Sequence, residues 1–292
     1  MARGVGPRQP RWAKQGFGVG KSKQASGTKT KASASTTIRS SATGLRNKKI
    51  APAKTTPARA AAAGVPKGYD PIAPERVGEI LRRLDAAYPR VTCALQHKSA
   101  WELLVATILS AQCTDVRVNM VTPVLFSKYP TVQHFAALKP EELEPDIRST
   151  GFFRNKSKSV VGAAKKVISD FGGEVPAEME KLLTLPGVAR KTANVVLGTW
   201  FGKNEGVVVD THVHRITRRL ELTKNDDAAK IEQDLMKIIP RPKWTDFSHQ
   251  VIWHGRKLCM ARQPKCAECP LENICHATDK TWSTVAIHKN AR

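Results

Sequence analysis

The chain has 292 residues, 41% of them hydrophobic, and its 48 lysines and arginines outnumber 25 aspartates and glutamates to give a formal net charge of +23. That excess is the electrostatic footprint of a polyanion partner, with nucleic acid foremost. The apolar run at 103–109 is far shorter than the roughly 20 residues a bilayer crossing needs, so no membrane partner is expected.

Residues 1–68 hold fifteen basic and no acidic residues, leaving a net charge of +8 for the rest of the chain. This stretch is rich in Ala, Ser, Thr, Gly, Lys and Pro and has almost no large apolar residues, so it cannot offset its own ordering entropy. A disordered basic tail at 1–70 is expected, acting as a non-specific DNA-holding arm. An organellar transit peptide is the alternative, disfavoured because lysine exceeds arginine and no cleavage site is evident. Residues 69–292 suffice for one large or two modest domains.

From Pro74 onward the pattern is helical. Val77, Ile80, Leu81 and Leu84 recur at helix spacing behind a first-turn proline, and Trp101, Leu104, Val105 and Ile108 do so behind a capping box, Ser99-x-x-Glu102. Further helices are predicted to begin near Asp115, Pro140, Ser157, Pro176, Arg190, Thr211, Asp227 and Asp246, each with a cap residue or an early proline. Only 206–209 reads as a strand, too short to build a sheet. The fold class is therefore all-α.

The stretch 185–192, LPGVARKT, is the most informative. A Pro-Gly turn running into a helix N-terminus leaves backbone N–H groups unpaired beside a positive dipole end, which makes an anion site suited to phosphate. Lys191 falls in the first helical turn, where its amine can act as a nucleophile. Gly187 suits a backbone that must approach phosphate without a Cβ. Ala189 stands where a second glycine is expected; a left-handed backbone there would cost about 1 kcal/mol or more.

Four of six cysteines crowd the C-terminus as Cys259-x6-Cys266-x2-Cys269-x5-Cys275. No secretion signal is evident and the DNA-binding character implies a reducing compartment, so a metal suits them better than disulfides. Zinc or an iron–sulfur cluster would satisfy four thiolates, and the single Cys-x-x-Cys leans toward iron. Cys93 and Cys113 read as small buried hydrophobes.

LPGVARKTANVV at 185–196, VDTHVHR at 209–215, LSAQCTD at 109–115 and the cysteine spacing, in that combination, resemble the endonuclease III family of helix-hairpin-helix DNA glycosylases over about residues 72–280. The resemblance implies a two-lobed fold: a six-helix barrel at 93–203, and an iron–sulfur domain that joins a first helix at 71–92 to 204–284, followed by a C-terminal tail at 285–292. It implies a 4Fe-4S cluster on Cys259, Cys266, Cys269 and Cys275. It also implies a monomer acting in the cytoplasm at the nucleoid on double-stranded DNA that carries damaged bases or abasic sites.

By the same resemblance, Lys191 is the nucleophile of a bifunctional glycosylase and AP lyase acting on oxidised pyrimidines. Asp210 stabilises the developing oxocarbenium charge and helps deprotonate the lysine, and it doubles as the N-cap of the next helix. Gln112 and Phe152 match the positions that fill the gap left by a flipped nucleotide, though the family more often has leucine where Phe152 stands. Further DNA contacts are expected from Gly187, Val188, Ala189 and Arg190 in the hairpin, from Thr211, His212 and Arg215 after Asp210, and from Arg262 and Lys265 in the cysteine segment. Arg256 and Lys257 are expected to project with those last two. The alternatives are the same scaffold specialised for pyrimidine dimers or mismatches, and a non-catalytic DNA-binding or redox-sensing module.

Overall fold

The computed structural model describes residues 68–288 and 291. The basic tail expected at 1–70 lies outside the described residues except for its last three positions, as do 289, 290 and 292 of the C-terminal tail. Among the described residues eleven α-helices follow one another and no strand forms. None of these helices is long and apolar enough to cross a membrane.

α1 (Pro74–Ala87) starts on a proline and buries Val77, Ile80 and Leu84. At the head of α2 (Ala100–Leu109), the Ser99 hydroxyl accepts from Glu102 N at 3.1 Å, while the Glu102 carboxylate accepts from Lys98 N at 2.6 Å, so the box closes one residue further out than expected. α3 (Asp115–Lys128) is capped by Thr114. α4 (Val132–Ala137) is a short helix the sequence pattern does not announce, since Thr131 makes no side-chain cap. Its Phe135 is nevertheless fully buried, with the rings of Trp101, Phe126 and Tyr129 packed at 5.5–6.3 Å.

α5 (Pro140–Ile147) leads into α6 (Phe153–Phe171), which begins four residues before the expected Ser157. Phe152 caps it in the left-handed conformation without a side-chain hydrogen bond, so the usual sequence signature of a helix start is missing. α7 (Met179–Leu183) starts at Met179 rather than Pro176, and α8 (Arg190–Thr199) follows directly after the hairpin turn. The remaining helices are α9 (Thr211–Arg219), α10 (Ala228–Ile238) and α11 (Trp244–Lys257). The strand expected at 206–209 does not form. Val207, Val208 and Val209 are buried, but no neighbouring edge meets them, and Val208 N donates to the Ser248 hydroxyl at 3.0 Å where a ladder bond would stand.

Two cores result. α2 to α8 enclose one, around Leu103, Leu104, Phe135, Leu143, Val160 and Leu197. α1 joins α9, α10 and α11 around the other, with Ile80, Leu84, Ile216, Leu235, Phe247 and Val251 buried together. Each fully buried leucine or phenylalanine contributes about 1.5–3 kcal/mol, enough for either core to fix its helices.

The lobes are also fastened to each other. Arg256 of α11 donates to Asp115 of α3 at 2.5 Å, and a Cβ on Gly198 of α8 would lie 2.3 Å from Thr245 Oγ1 of α11.

Candidate active site

The hairpin turn rests on α6. Gly187 has φ +77°, and a Cβ there would come within 2.5 Å of Ser159 Cβ, so glycine is demanded by helix packing and not only by approach to a phosphate. Val188 N donates to Leu185 O at 3.1 Å, which closes the turn. Ala189 is the N-cap of α8 with φ −94° and ψ 169°, an extended conformation that alanine adopts freely, so the expected penalty for lacking glycine does not arise. No side chain caps α8, and Ala193 N is the first amide to pair back into the helix. The amides of Arg190, Lys191 and Thr192 therefore remain donors at a positive helix end, and Lys191 is exposed beside them.

The Arg190 side chain faces elsewhere. Its Nε donates to both oxygens of Glu232 at 3.0 Å, and its Nη2 donates to Glu205 O at 3.2 Å. Asn194 Nδ2 reaches the same carboxylate at 2.9 Å. What Arg190 can offer a phosphate is thus its amide, because the guanidinium is spent on α10. A Cβ on Gly206 would lie 2.0 Å from Glu232 Oε1 and 2.5 Å from Asn194 Nδ2. The extended stretch that leads to Asp210 therefore passes directly against the helix that carries Lys191.

Asp210 is the N-cap of α9. Its Oδ1 accepts from His212 N and Val213 N, both at 2.8 Å. Both amides converge on one oxygen, so the cap fixes the carboxylate while Oδ2 takes no hydrogen bond among the described residues. Thr211 is exposed next to it. Burial lowers the pKa of the half-buried His212, whose Nδ1 lies 3.2 Å from Arg215 Nη2.

Arg215 itself donates to Gly255 O at 3.1 Å and to Cys259 O at 2.9 Å, tying α9 to the end of α11. The reason is positional: α9 crosses the C-terminus of α11, whose last carbonyls need donors.

Gln112 and Phe152 share an unusual property. Both are exposed, Phe152 by 62%, and both lie on left-handed backbone with φ 54° and φ 49°. Only two other non-glycine residues among the described ones, Glu221 and Gln263, have positive φ. Neither a buried capping amide nor a core aromatic describes these two positions. Conformations of this kind cost of order 1–3 kcal/mol and persist where surrounding structure enforces them, often at ligand contacts.

The four C-terminal cysteines line one pocket together with Arg219, Lys265 and Lys280. Among the described residues no three His, Cys, Asp or Glu side chains close on a single metal ion. A pocket walled by four sulfurs suits a polynuclear core better than one tetrahedral zinc, whose ligands sit about 2.3 Å from the metal. Burial pushes the Cys269 thiol up to about 12 and the Cys275 thiol up to about 11, and it also raises Cys259. Thiolates there need a compensating metal core.

Sequence reasoning missed the residues that build this wall. Arg219 Nη1 donates to Cys259 Sγ at 3.2 Å and to Met260 O at 2.7 Å, and its Nη2 meets Asp279 at 2.5 Å. Lys280, 3% exposed, donates to Glu272 Oε1 at 2.6 Å and to the carbonyls of Glu272 and Cys275. The partners lie 5 to 60 residues apart in sequence, at no helical or strand spacing, so no local pattern marks them.

Of the four cations expected to project together, Arg262 and Lys265 are exposed, Lys265 lying 3.9 Å from Glu268. Arg256 is instead drawn to Asp115, and Lys257 lies over the Trp253 ring at 5.1 Å. Both belong to the last turn of α11, which brings Arg256 to Asp115 of α3 and Lys257 over the ring one turn earlier.

Residues 105–241 match the model of the HhH-GPD superfamily of base excision DNA repair proteins, and residues 259–275 match the iron-sulfur binding domain of endonuclease III. The endonuclease III of Synechocystis sp. is 56% identical over 201 residues, covering 69% of this chain and 92% of the relative. A non-covalent endonuclease III–DNA complex superposes with TM-score 0.67 at 42% identity, covering 70% of this chain and 95% of that one. A trapped endonuclease III–DNA covalent intermediate, an estranged-adenine complex, gives the same TM-score and identity over 70% and 96%. With its uncapped hairpin helix, fixed carboxylate and sulfur-walled pocket, the chain belongs to the endonuclease III family, as a base excision repair DNA glycosylase and AP lyase that carries a 4Fe-4S cluster.

Proposed function

We propose that Lys191 is the nucleophile of this enzyme and that Asp210 acts with it on oxidised pyrimidines in double-stranded DNA. The observation that carries the reading is the exposed Lys191 at an uncapped helix N-terminus, with the segment leading to a fixed, half-free Asp210 carboxylate packed against the same helix. The trapped covalent complex of a 42% identical endonuclease III supports a covalent route.

In this mechanism the amides of 190–192 hold a backbone phosphate, and the flipped nucleotide presents C1′ to Lys191. As the C1′–base bond breaks and the base departs with its electron pair, Asp210 Oδ2 stabilises the oxocarbenium charge and accepts a proton from the lysine. The amine bonds to C1′, and the sugar ring opens to give an iminium. Loss of a proton from C2′ then expels the 3′-phosphate by β-elimination. Gln112 and Phe152 fill the vacated stack, and Thr211, Arg262 and Lys265 reach flanking phosphates.

The cluster, when bound, supplies a fold for the loop between Cys259 and Cys275, and that loop presents Arg262 and Lys265 to the DNA. The two hydrophobic cores support 93–203 as the lesion-reading lobe and 71–92 with 204–284 as the cluster-bearing one. The protein acts as a monomer, in the cytoplasm at the nucleoid.

Borohydride trapping tests the reading on duplexes carrying an oxidised pyrimidine, an abasic site or no damage. Wild type is expected to form an adduct on both lesions and Lys191→Ala on neither; an adduct in Lys191→Ala overturns the assignment, and an adduct on the abasic site alone overturns the substrate. Asp210→Asn keeps an N-cap of comparable quality, so its melting temperature should stay near wild type while turnover falls about 10²–10⁴-fold. An equal loss of stability and turnover would make Asp210 a cap alone.

A further inference from the structure

One buried cation has no carboxylate partner. Lys156, in the first turn of α6, is 5% exposed, and among the described residues no ion pair includes it. Its Nζ donates to Leu109 O and to Thr150 O, both at 2.8 Å. Leu109 is the last residue of α2, and Thr150 ends a short 3-10 turn at Arg148–Thr150. Carbonyls at such ends lack intrahelical donors and carry partial negative charge, which is what a buried ammonium requires in place of an acid. Burial pulls the Lys156 pKa down, so the charge is held at a cost that these two carbonyls offset.

The positions of the two carbonyls give the contact its meaning. Leu109 lies three residues before Gln112, and Thr150 lies two before Phe152. The Lys156 amide donates to Phe152 O at 3.1 Å, the ordinary first-turn backbone bond of α6, which places the ammonium one helical turn from Phe152. The two exposed side chains on left-handed backbone are thus joined through one ammonium, although they stand 40 residues apart.

We infer that Lys156 is a positioning residue that fastens the Gln112 loop to the Phe152 loop, so that both enter the base stack as one rigid wedge. The inference rests on the filler roles proposed above for Gln112 and Phe152. Without the ammonium, each loop would relax its left-handed residue independently, and insertion would require ordering two loops in place of one.

The test uses the full chain bound at saturation to a duplex with a tetrahydrofuran abasic analogue opposite 2-aminopurine, whose fluorescence reports unstacking of the orphaned base. Lys156→Met is expected to lower the unstacking equilibrium roughly 10- to 100-fold, the worth of one hydrogen bond to a charged group. β-Elimination on single-stranded abasic DNA, which needs no wedge, should stay at the wild-type level. Combined with Gln112→Ala or Phe152→Ala, the effect should be strongly non-additive.

Wild-type unstacking by folded Lys156→Met, or simple additivity, overturns the inference. Equal loss on single-stranded DNA does the same, because it would mark a general structural role. If the Met variant does not fold, Lys156→Gln, which keeps one neutral donor, is read in the same way. Normal unstacking by both Gln112→Ala and Phe152→Ala would instead bring down the filler roles themselves.

Discussion

The two lobes differ in what they bury. Among the described residues the one buried charge of the barrel-side core is Lys156, answered by carbonyl oxygens, and the neutral polar side chains buried beside its aliphatic and aromatic packing are Thr107, Thr122, Thr150, Ser157 and Asn194. The cluster-side core buries Glu232, Glu272 and Lys280, and it places His254 between Tyr88 at 3.0 Å and Cys269 at 3.5 Å. A lobe with many helices around one apolar centre can close on burial alone. The smaller lobe must hold an irregular cysteine loop against four helices, and it does so with ionic and hydrogen-bonded fasteners whose desolvation has to be matched bond for bond.

Removing iron with a chelator is the most severe way to break the contrast. The cysteine loop should lose its fold and α1 its seat, seen as a change in fluorescence of Trp244 and Trp253, while far-UV helicity from the barrel-side lobe persists. Simultaneous melting of both lobes would show that the aliphatic core is not self-sufficient.

Next comes Lys280→Met, which strands the Glu272 carboxylate and should cost about 3–5 kcal/mol in denaturant melts. Burial by itself would raise the pKa of Glu272, yet bonds from Lys280 and Thr284 hold it at about 2, below its ordinary 4.5. A depressed folded-state value means this contribution is complete above about pH 4.5 and is lost as pH falls toward 2. Glu272→Gln should therefore flatten the acid limb of stability against pH; an unchanged limb would refute the linkage.

Glu232→Gln is a milder cut, aimed at the seam between lobes. It weakens the bonds to Arg190 and Asn194 and should cost about 1–3 kcal/mol, with lower trapping yield because α8 carries Lys191. The smallest effect is expected from Arg262→Ala, which should leave stability alone and reduce the slope of log affinity against log salt by about 1.

What the sequence exposes and what it hides follow the same division. Ser99, Thr114, Asp210 and Asp227 cap their helices as their spacing indicates, because a cap is a bond over two or three residues. The hairpin turn and the cysteine spacing are equally local. The start of α6 was hidden because Phe152 replaces a polar cap with a left-handed backbone, and the strand reading of 206–209 failed because a strand exists only if another edge meets it. Arg190, Arg215 and Arg256 read as DNA-facing cations in the sequence, yet each also has an acceptor 40 or more residues away that no local pattern marks. Glu232 is hidden likewise, its donors lying 38 and 42 residues away, and Lys156 because one of its two carbonyl acceptors lies 47 residues away.

The seam has a mechanical side. α8 is held to α10 through Arg190, Asn194 and Glu232, to α11 through the Gly198–Thr245 approach, and α3 is pinned to α11 by Asp115 and Arg256. A seam braced at three points gives the lobes little freedom to close on one another, so on the proposed function the compliance needed for a fit would come from the duplex. On the proposed function, bending energy would then work as a filter: base steps already loosened by damage yield at lower cost than intact ones, so part of the selection would precede any contact of a side chain with the altered base.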